Sequence, residues 1–366
     1  MKVAVVHDYL TQRGGAERVV LSMLKAFPDA PVHTALYDPG ATYPEFADAD
    51  VRTMSLNRAK VLRRSHRLAL PALAPAFSCH RVEADAVLCS SSGWAHGVRA
   101  KGRKIVYCYT PARWLYDGDQ YLGEEQRVAR LALNALRPGL VRWDRRAAAT
   151  ADRYLTLSTT VQRRIQVSYG VDAEILPPPP TLGPHGPHLP VERLDPGFFL
   201  CVSRLMAYKN VDAVVAAFTR LPEERLVVVG AGPERRRLET AAGDNVTFLG
   251  SVPDEQLRWL FAASVGIVAA SYEDYGLTPL EGFTFGKPAT VLRAGGFLDT
   301  VLEDETGVFF DEPTPDAIAD ALRRTTGVSW QPAILRVQAE RFGEEQFIRR
   351  LQEVVNEETS GLGGRP

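Results

Sequence analysis

The sequence predicts an α/β protein made of two doubly wound domains, each with a parallel sheet. Three observations predict it. Short β-branched or aromatic runs alternate with longer amphipathic stretches, the βαβα rhythm of parallel sheets flanked by helices. The runs are continuously apolar rather than alternating, as strands buried on both faces are. The rhythm breaks once, at residues 177–190, "PPPPTLGPHGPHLP", which hold seven prolines and two glycines. A stretch with so few backbone donors favours extended chain and reads as a linker. A length of 366 residues is long for one domain and comfortable for two.

In the first half the strand-like runs are "KVAVVHDY" (2–9), "PVHTALY" (31–37), "VRTMSL" (51–56), "DAVLCS" (85–90), "KIVYCYT" (104–110) and "RYLTLS" (153–158). In the second they are "FFLCVS" (198–203), "RLVVVG" (225–230), "NVTFLG" (245–250), "VGIVAAS" (265–271), "PATVL" (288–292) and "GVFF" (307–310). Helical patterns such as "AERVVLSMLKAF" (16–27) and "NVDAVVAAFTRL" (210–221) lie between them. The expected organisation is an N-terminal domain over 1–178, a linker over 179–195 and a C-terminal domain over 196–340. A C-terminal helix over 341–358 is a candidate to pack back on the N-domain, and 359–366 form a disordered tail. Two such domains facing each other would form a cleft. In doubly wound sheets ligands bind beyond the carboxyl ends of the strands, so the loops there are the place to look.

Composition is that of a globular protein, 45% hydrophobic and 24% charged. The longest apolar run, "LALPALAPAF" (68–77), is short and broken by Pro71 and Pro75, so it does not span a bilayer as a continuous helix. The first residues, "MKVAVVHDY", read directly as a strand and lack the length and cleavage site of a signal peptide. Cys79, Cys89, Cys108 and Cys201 show no CxxC spacing and are expected to be reduced thiols of a cytosolic protein. The net charge of −1 hides an asymmetry: residues 1–180 carry 25 Lys and Arg against 17 Asp and Glu, residues 181–366 carry 18 against 27. A basic half suits an anionic partner, a phosphate-bearing substrate or a membrane surface; solvated helix faces are the plain alternative.

Four constellations carry chemistry. Gly14 and Gly15 in "HDYLTQRGGAERVV" let backbone approach a ligand, and the helix starting near Ala16 aims free amides at the same place. A tight strand-to-helix turn explains them as well, and the pattern is not GxGxxG. Arg204 and Lys209 in "VSRLMAYKNVDAVV" flank a loop before a helix for which Asn210 is a plausible N-cap, a seat for a diphosphate. "VVVGAGPERRRLE" (227–239) imitates a dinucleotide fingerprint through Gly230 and Gly232, but Arg235 stands where a third glycine belongs, and Pro233 suits a first helical turn. It reads as a nucleotide-proximal turn, with a plain connection as competitor.

The fourth is "ASYEDYGLTPLEGFTFGKPATVLRAGG" (270–296). Thr278, Pro279 and Glu281 form a capping box, with Thr278 as N-cap, which accounts for Glu281 by itself. Glu273 lies at the carboxyl end of an apolar strand, where no capping rule explains it and a carboxylate accepts hydrogen bonds from sugar hydroxyls. Amides of Gly276, Leu277 and Thr278 would meet a phosphate at the helix start.

Together these pieces resemble glycosyltransferase family 4, over nearly the whole chain. Its E-x7-E pattern is similar to "EDYGLTPLE" from Glu273 to Glu281, its donor-phosphate pair to Arg204 and Lys209 in "SRLMAYKN", and its glycine loop to Gly14-Gly15 in "RGGAE". "SSSGWAHGV" (90–98), "CYTPARWLYD" (108–117) and "VRWDRRAAATADRYLTLS" (141–158) resemble the branch of bacterial O-antigen and capsule mannosyltransferases. The resemblance implies a GT-B fold and retaining, metal-independent transfer of a hexosyl group, mannosyl in the branch it resembles, from a GDP- or UDP-sugar, with no other cofactor. It implies that Arg204 and Lys209 neutralise the leaving diphosphate, that Glu281 binds the ribose and that Glu273 holds donor-sugar hydroxyls. Tyr275 joins the donor-side candidates, and Gly230, Gly232 and Val252 flank the base. His96 in "WAHGV" is similar to the family's active-site histidine, though a packed histidine at a helix start competes. Tyr109 stands where related chains often have a histidine in a "CHTP"-type segment.

Tyr109, Arg113, Arg63 and Arg64 are acceptor-side candidates. Arg58, Lys60, Arg63, Arg64 and Arg67 cluster in "NRAKVLRRSHR", and Lys60, Arg64 and Arg67 share a helical face. That face is expected to meet an anionic lipid-linked acceptor or membrane, on a cytoplasmic protein peripheral to the inner membrane, with a glycan or small molecule as other acceptors. No nucleic-acid partner is expected. "DGD" at Asp117–Asp119 and "DAD" at Asp48–Asp50 imitate metal-binding DxD motifs but lie away from the phosphate seat. A nicotinamide-dependent oxidoreductase using "GAGPER" lacks the third glycine and an acidic residue closing the next strand. A non-catalytic nucleotide-sugar binder is the third alternative.

Overall fold

The computed structural model describes residues 1–64, 69–116 and 127–360, without the side chains of residues 64, 71 and 127–135. The chain divides into two compact units, one formed by Met1–Pro178 and the stretch from Glu344 on, the other by Pro179–Gly343.

The first unit contains β1 (Val3–His7), β2 (Val32–Thr34), β3 (Val51–Thr53), β4 (Arg81–Val82), β5 (Ala86–Ser91), β6 (Arg99–Ala100), β7 (Arg103–Cys108), β8 (Arg153–Thr156) and β9 (Ala173–Ile175). Seven of them form one sheet in the order β3-β2-β1-β5-β7-β8-β9, and β4 pairs only with β6. Every pairing is parallel, with Val5 opposite Val32 on one side of β1 and opposite Leu88 on the other. All six expected runs are strands; β4, β6 and the edge strand β9 are too short or too polar to announce themselves. The run 68–77 contributes to a helix, Leu70–Cys79, with Pro75 inside it. On one side of the sheet the core takes Val20 and Met23 from helix Gly15–Ala26, and Phe347, Leu351, Val354 and Val355 from helix Glu344–Thr359. These four positions follow the helical i, i+4, i+7, i+8 pattern, so one stripe of the last helix is apolar and buried. Three hydrogen bonds tie the two helices together: Ser22 Oγ donates to Glu344 Oε1 at 2.7 Å, Lys25 Nζ to Glu344 Oε2 at 2.6 Å, and Gln352 Nε2 to the Ala26 carbonyl at 2.9 Å. The helix runs to Thr359, so the expected tail begins later; residues 361–366 lie outside the described residues.

The second unit contains β10 (Phe198–Val202), β11 (Leu226–Val229), β12 (Val246–Gly250), β13 (Ser264–Ala269), β14 (Ala289–Leu292) and β15 (Gly307–Phe310), in the order β12-β11-β10-β13-β14-β15. Counted within the unit this is 3-2-1-4-5-6, the dinucleotide-binding strand order. Phe199, Cys201, Val228 and Val268 pack with Val214 and Phe218 of helix Val211–Phe218 and with Ile318 and Leu322 of helix Pro315–Thr326. The expected linker is not a separate connection. Residues 179–195 belong to this unit: Leu182 is buried, and the Leu189 amide donates to the Glu255 carbonyl at 3.0 Å. Prolines keep the segment extended, but its few side chains and amides still find partners.

Among the described residues no helix is long and apolar enough to cross a membrane.

Candidate active site

In the second unit the strand order reverses between β10 and β13, and the loops that leave these strands diverge there. The β10 loop carries Arg204 and Lys209, and the β13 loop carries Ser271 and Glu273. Lys209 Nζ donates to Glu273 Oε1 at 2.5 Å, and the Ser271 hydroxyl donates to the same oxygen at 2.5 Å. Arg204 is exposed and donates from Nη2 to the Tyr208 hydroxyl at 2.8 Å. A cavity of about 190 Å³ opens between the two loops, lined by Arg204, Lys209, Glu273, Gly276, Leu277 and Thr278 among others. A second, of about 480 Å³, shares Val202, Ser203 and Arg204 with it and is walled by Gly230, Ala231, Ser251 and Val252. The structure thus brings together the expected cation pair, Glu273, the helix-start amides and the glycine turn.

Close approach explains the glycines. A Cβ on Gly230 would sit 1.9 Å from the Ser203 carbonyl oxygen, and one on Gly232 would sit 2.2 Å from that of Leu205. Leu205 and Ala231 are joined by a backbone hydrogen bond of 2.9 Å. The "GAG" turn is therefore required by loop-on-loop packing, the plain reading, while the same packing makes it a wall of the larger cavity. Helix Arg235–Ala241 starts after Pro233 rather than around it. Gly295 and Gly296 do the same for the β13 loop, since Cβ atoms there would strike Glu273 and Tyr275 backbone at 2.2 and 2.3 Å. Tyr275 itself is buried, its ring edge-on to Phe342, and burial holds its hydroxyl well above the usual range.

Two caps differ from expectation. Helix Leu277–Thr284 has Gly276 as N-cap, at φ 89°, and no side chain caps it. The capping box fails because the left-handed turn at Gly276 starts the helix early, placing Thr278 inside it. Asn210 does stand at the N-cap of helix Val211–Phe218, but at φ 52° its side chain turns away and donates to the Ala270 carbonyl at 3.0 Å. It stitches the β10 loop to the end of β13 instead of capping.

Glu281 is buried at 7% exposure and does not line the cavity with Glu273. Its Oε1 accepts from the Thr181 hydroxyl at 2.6 Å, and the Thr181 and Leu182 amides add to the grip. Burial is the largest influence and lifts its carboxyl to about 7; the three donors oppose it, and Asp254 adds to it.

The first unit has its own reversal point, between β1 and β5. Gly14 stands at the N-cap of helix Gly15–Ala26 in extended backbone, φ −122°, a conformation open to any residue. Asp8 holds the β5 loop by accepting from the amides of Ser92, Trp94 and Ala95 at 2.7, 3.2 and 2.6 Å. His7 Nδ1 lies 2.9 Å from Ser90 Oγ, and its Nε2 lies 3.8 Å from Glu17. Burial lowers His7, but Glu17 and Asp8 outweigh it and the net shift is upward. Burial raises Glu17, yet His7 wins and the net shift is downward. The Tyr109 hydroxyl donates to the Ala16 carbonyl at 3.0 Å and lies 2.9 Å from Ser90 Oγ, so it ties the glycine-loop helix to β5.

His96 is 2% exposed. Its Nδ1 lies 3.0 Å from Ser91 Oγ, and its Nε2 3.0 Å from Asp144, near enough for an ion pair though not aligned as a hydrogen bond. Trp143 and Tyr169 flank the ring. The structure gives His96 the packed reading; a sugar contact stays with the resemblance alone. Arg113 begins a short helix, Arg113–Tyr116. Arg63 donates to the Asn57 carbonyl at 2.8 Å. The Arg64 side chain, Arg67 and the Asp117–Asp119 motif lie outside the described residues, and Asp50 pairs with Arg52 at 2.6 Å.

Sequence reasoning missed Ser271, Asp8, Asp144 and Thr181. Asp8 directly follows β1 and Ser271 stands two residues past β13, so the strand-end rule marks them. Asp144 and Thr181 meet partners 48 and 100 residues away along the chain, which no spacing reveals.

Comparison with known proteins adds three findings. Residues 190–326, in the second unit, match the family model described as glycosyl transferases group 1. A stretch of 120 residues is 34% identical to a GDP-mannose-dependent alpha-(1-6)-phosphatidylinositol dimannoside mannosyltransferase of Mycobacterium tuberculosis, covering 32% of this chain and 31% of that one. The chain spans about a third of the length of the curated relatives it matches first. Among solved structures, a lipopolysaccharide outer core galactosyltransferase in its apo form matches with a TM-score of 0.67 at 17% identity, over 98% of this chain and 99% of that one. A protein of Anabaena in complex with UDP-glucose matches with a TM-score of 0.69 at 14% identity, over 98% and 100%. The fold is that of the two-domain, Rossmann-like GT-B glycosyltransferases.

Proposed function

We propose that the chain is a group 1 glycosyltransferase that moves a hexosyl group, with retention of configuration, from a nucleotide-sugar donor to an acceptor hydroxyl. The observation that carries this is the gathering of Arg204, Lys209 and Glu273 around one cavity at the reversal point of the unit that matches the family. Charge develops on the leaving diphosphate as the glycosidic bond breaks. Two cations and the amides at the start of helix Leu277–Thr284 meet that charge without rearrangement, the largest electrostatic contribution such a site can make. Lys209 is held in place by Glu273, whose carboxylate also has the acceptor character that sugar hydroxyls need. The larger cavity beside Gly230 and Val252 takes the base. No metal enters this reading, because the cations perform the neutralisation.

The mycobacterial relative uses GDP-mannose and the Anabaena structure holds UDP-glucose. GDP-mannose is the first donor to test here, followed by UDP-hexoses. Purified protein is incubated with a panel of GDP- and UDP-sugars in the presence of a chelator, with nucleotide release and thermal shift as readouts. Release by one donor, undiminished by chelator, supports the reading, and proton NMR of the product reports the anomer. Binding without turnover on any acceptor class indicates a nucleotide-sugar binder, and neither binding nor release sinks the proposal. The acceptor is a glycan, a lipid-linked sugar or a small molecule. Lys60 is exposed on the basic helix Lys60–Arg64, which supports an anionic lipid surface as the acceptor's setting. Binding to anionic liposomes that falls with salt is the expected result, and equal binding to neutral liposomes overturns it.

A further inference from the structure

The stretch 177–190 is more than a connection. Leu182 is 4% exposed, and the Leu189 amide is bonded to the Glu255 carbonyl. Between them Gly186, at φ 113°, runs against the Arg258 guanidinium, where a Cβ would come within 3.3 Å. The His188 ring stands edge-on to Phe285, which stacks on Phe261. The segment is thus strapped along helices Asp254–Ala263 and Leu277–Thr284. Thr181, at the head of the strap, is the residue that meets Glu281.

The chemistry of that meeting is unusual for a purely structural contact. The Glu281 carboxylate meets neutral donors from the strap, the Thr181 hydroxyl and the Thr181 and Leu182 amides, and the like charge of Asp254 on the neighbouring helix. Glutamine would accept the Thr181 hydrogen bond as well, without the cost of a buried charge. A carboxylate offers what glutamine does not, an acceptor-only group whose oxygens take hydrogen bonds from two adjacent hydroxyls. Thr278, one helical turn before Glu281 and on the same face, lines the cavity.

We propose that Thr181 is a positioning residue for the donor site: the proline-rich strap holds the Glu281 carboxylate in the orientation from which it accepts the ribose hydroxyls of the nucleotide. This rests on the reading of Glu281 as the ribose contact. Two consequences follow. Recognition of the ribose depends on a residue outside the E-x7-E segment. It is also strongest above the pH at which Glu281 loses its proton, about 7, and removal of the Thr181 donor moves that pH upward.

The test measures binding of UDP and GDP, and of their 2′,3′-dideoxy counterparts, to the full chain by titration calorimetry from pH 6 to 8.5. For the nucleotide that binds, the wild type is expected to prefer the ribose form about tenfold or more, with the preference growing as pH rises. Thr181→Val is expected to reduce the preference to about threefold or less at pH 7 and to shift its midpoint upward by about one pH unit. Thr181→Ser restores both. Glu281→Gln shows little preference at any pH. If Thr181→Val keeps the wild-type preference and midpoint while Glu281→Gln loses the preference, the strap has no positioning role and the ribose reading survives. If Glu281→Gln retains the full preference, the ribose reading itself is wrong. Should Thr181→Val fail to fold, Thr181→Cys, a weaker donor of similar size, carries the same prediction with smaller amplitude, and an unchanged profile there overturns the proposal.

Discussion

Lys209 and Glu273 each restrain the other before any ligand arrives. The lysine side chain is 10% exposed and the glutamate 30%, so their pair is partly screened and adds only about 1 kcal/mol or less to folding. Against a developing diphosphate charge the same cation counts for far more. Lys209→Ala is therefore expected to lower kcat by about 10²- to 10³-fold while leaving the melting temperature nearly unchanged. Near-normal turnover means the phosphate seat lies elsewhere. In the first unit the coupling of His7 and Glu17 sets a pH dependence of stability. The raised His7 contributes stability fully below its ordinary value of 6.5, and loses it as pH climbs through its folded value. The lowered Glu17 contributes above its ordinary 4.5, and loses it as pH falls through its folded value. Both contributions are complete between about 4.5 and 6.5. Glu17→Gln should cost about 1–3 kcal/mol in that window and less outside it. Urea denaturation across pH checks this, and a cost independent of pH contradicts it. At this scale the sequence exposed Arg204, Lys209 and Glu273, because strand ends and unexplained charges are visible locally. It did not expose the pairing of His96 with Asp144, which depends on a helix distant in sequence.

At the scale of elements, the twelve apolar runs all contain strands, since strands buried on two faces leave a continuous apolar pattern, and even the less buried edge strands β3 and β12 keep enough β-branched residues to show. Helix starts were less legible. "GLTPLE" satisfies a capping box on paper, yet Gly276 solves the same problem through its left-handed conformation, and only backbone geometry distinguishes the two. The "GAG" turn was ambiguous for a related reason: a glycine needed for a ligand and one needed for a neighbouring loop look alike in sequence. Here the neighbour is identified, and that makes a prediction. Gly230→Ala places a methyl 1.9 Å from the Ser203 carbonyl at a φ of 136°, and neither loop can yield without breaking the Leu205–Ala231 contact. A loss of about 2–4 kcal/mol is expected in chemical denaturation, with nucleotide affinity falling as the cavity wall shifts. Wild-type stability would show that the two loops are not locked together.

For the molecule as a whole, the chain leaves the first unit at Pro178 and returns to it at Glu344. The charge asymmetry between the halves does not follow this division, since the last helix is counted with the second half but built into the first unit. Leu351 is fully buried in the first unit's core, and Leu351→Ala should cost that unit about 2–4 kcal/mol. The fluorescence of Trp94, Trp114 and Trp143 against that of Trp259 and Trp330 separates the two unfolding transitions, and a loss confined to the second unit would contradict the assignment. The returning helix also fixes an order of events on the ribosome. Multidomain chains commonly complete their first domain first during synthesis. Here residues 179–343 emerge as one uninterrupted unit, while the earlier residues wait for Phe347, Leu351, Val354 and Val355 to be translated before their sheet is covered. The nascent first unit therefore completes this side of its core only after the entire second unit has been synthesised, with helix Gly15–Ala26 contributing to it until then.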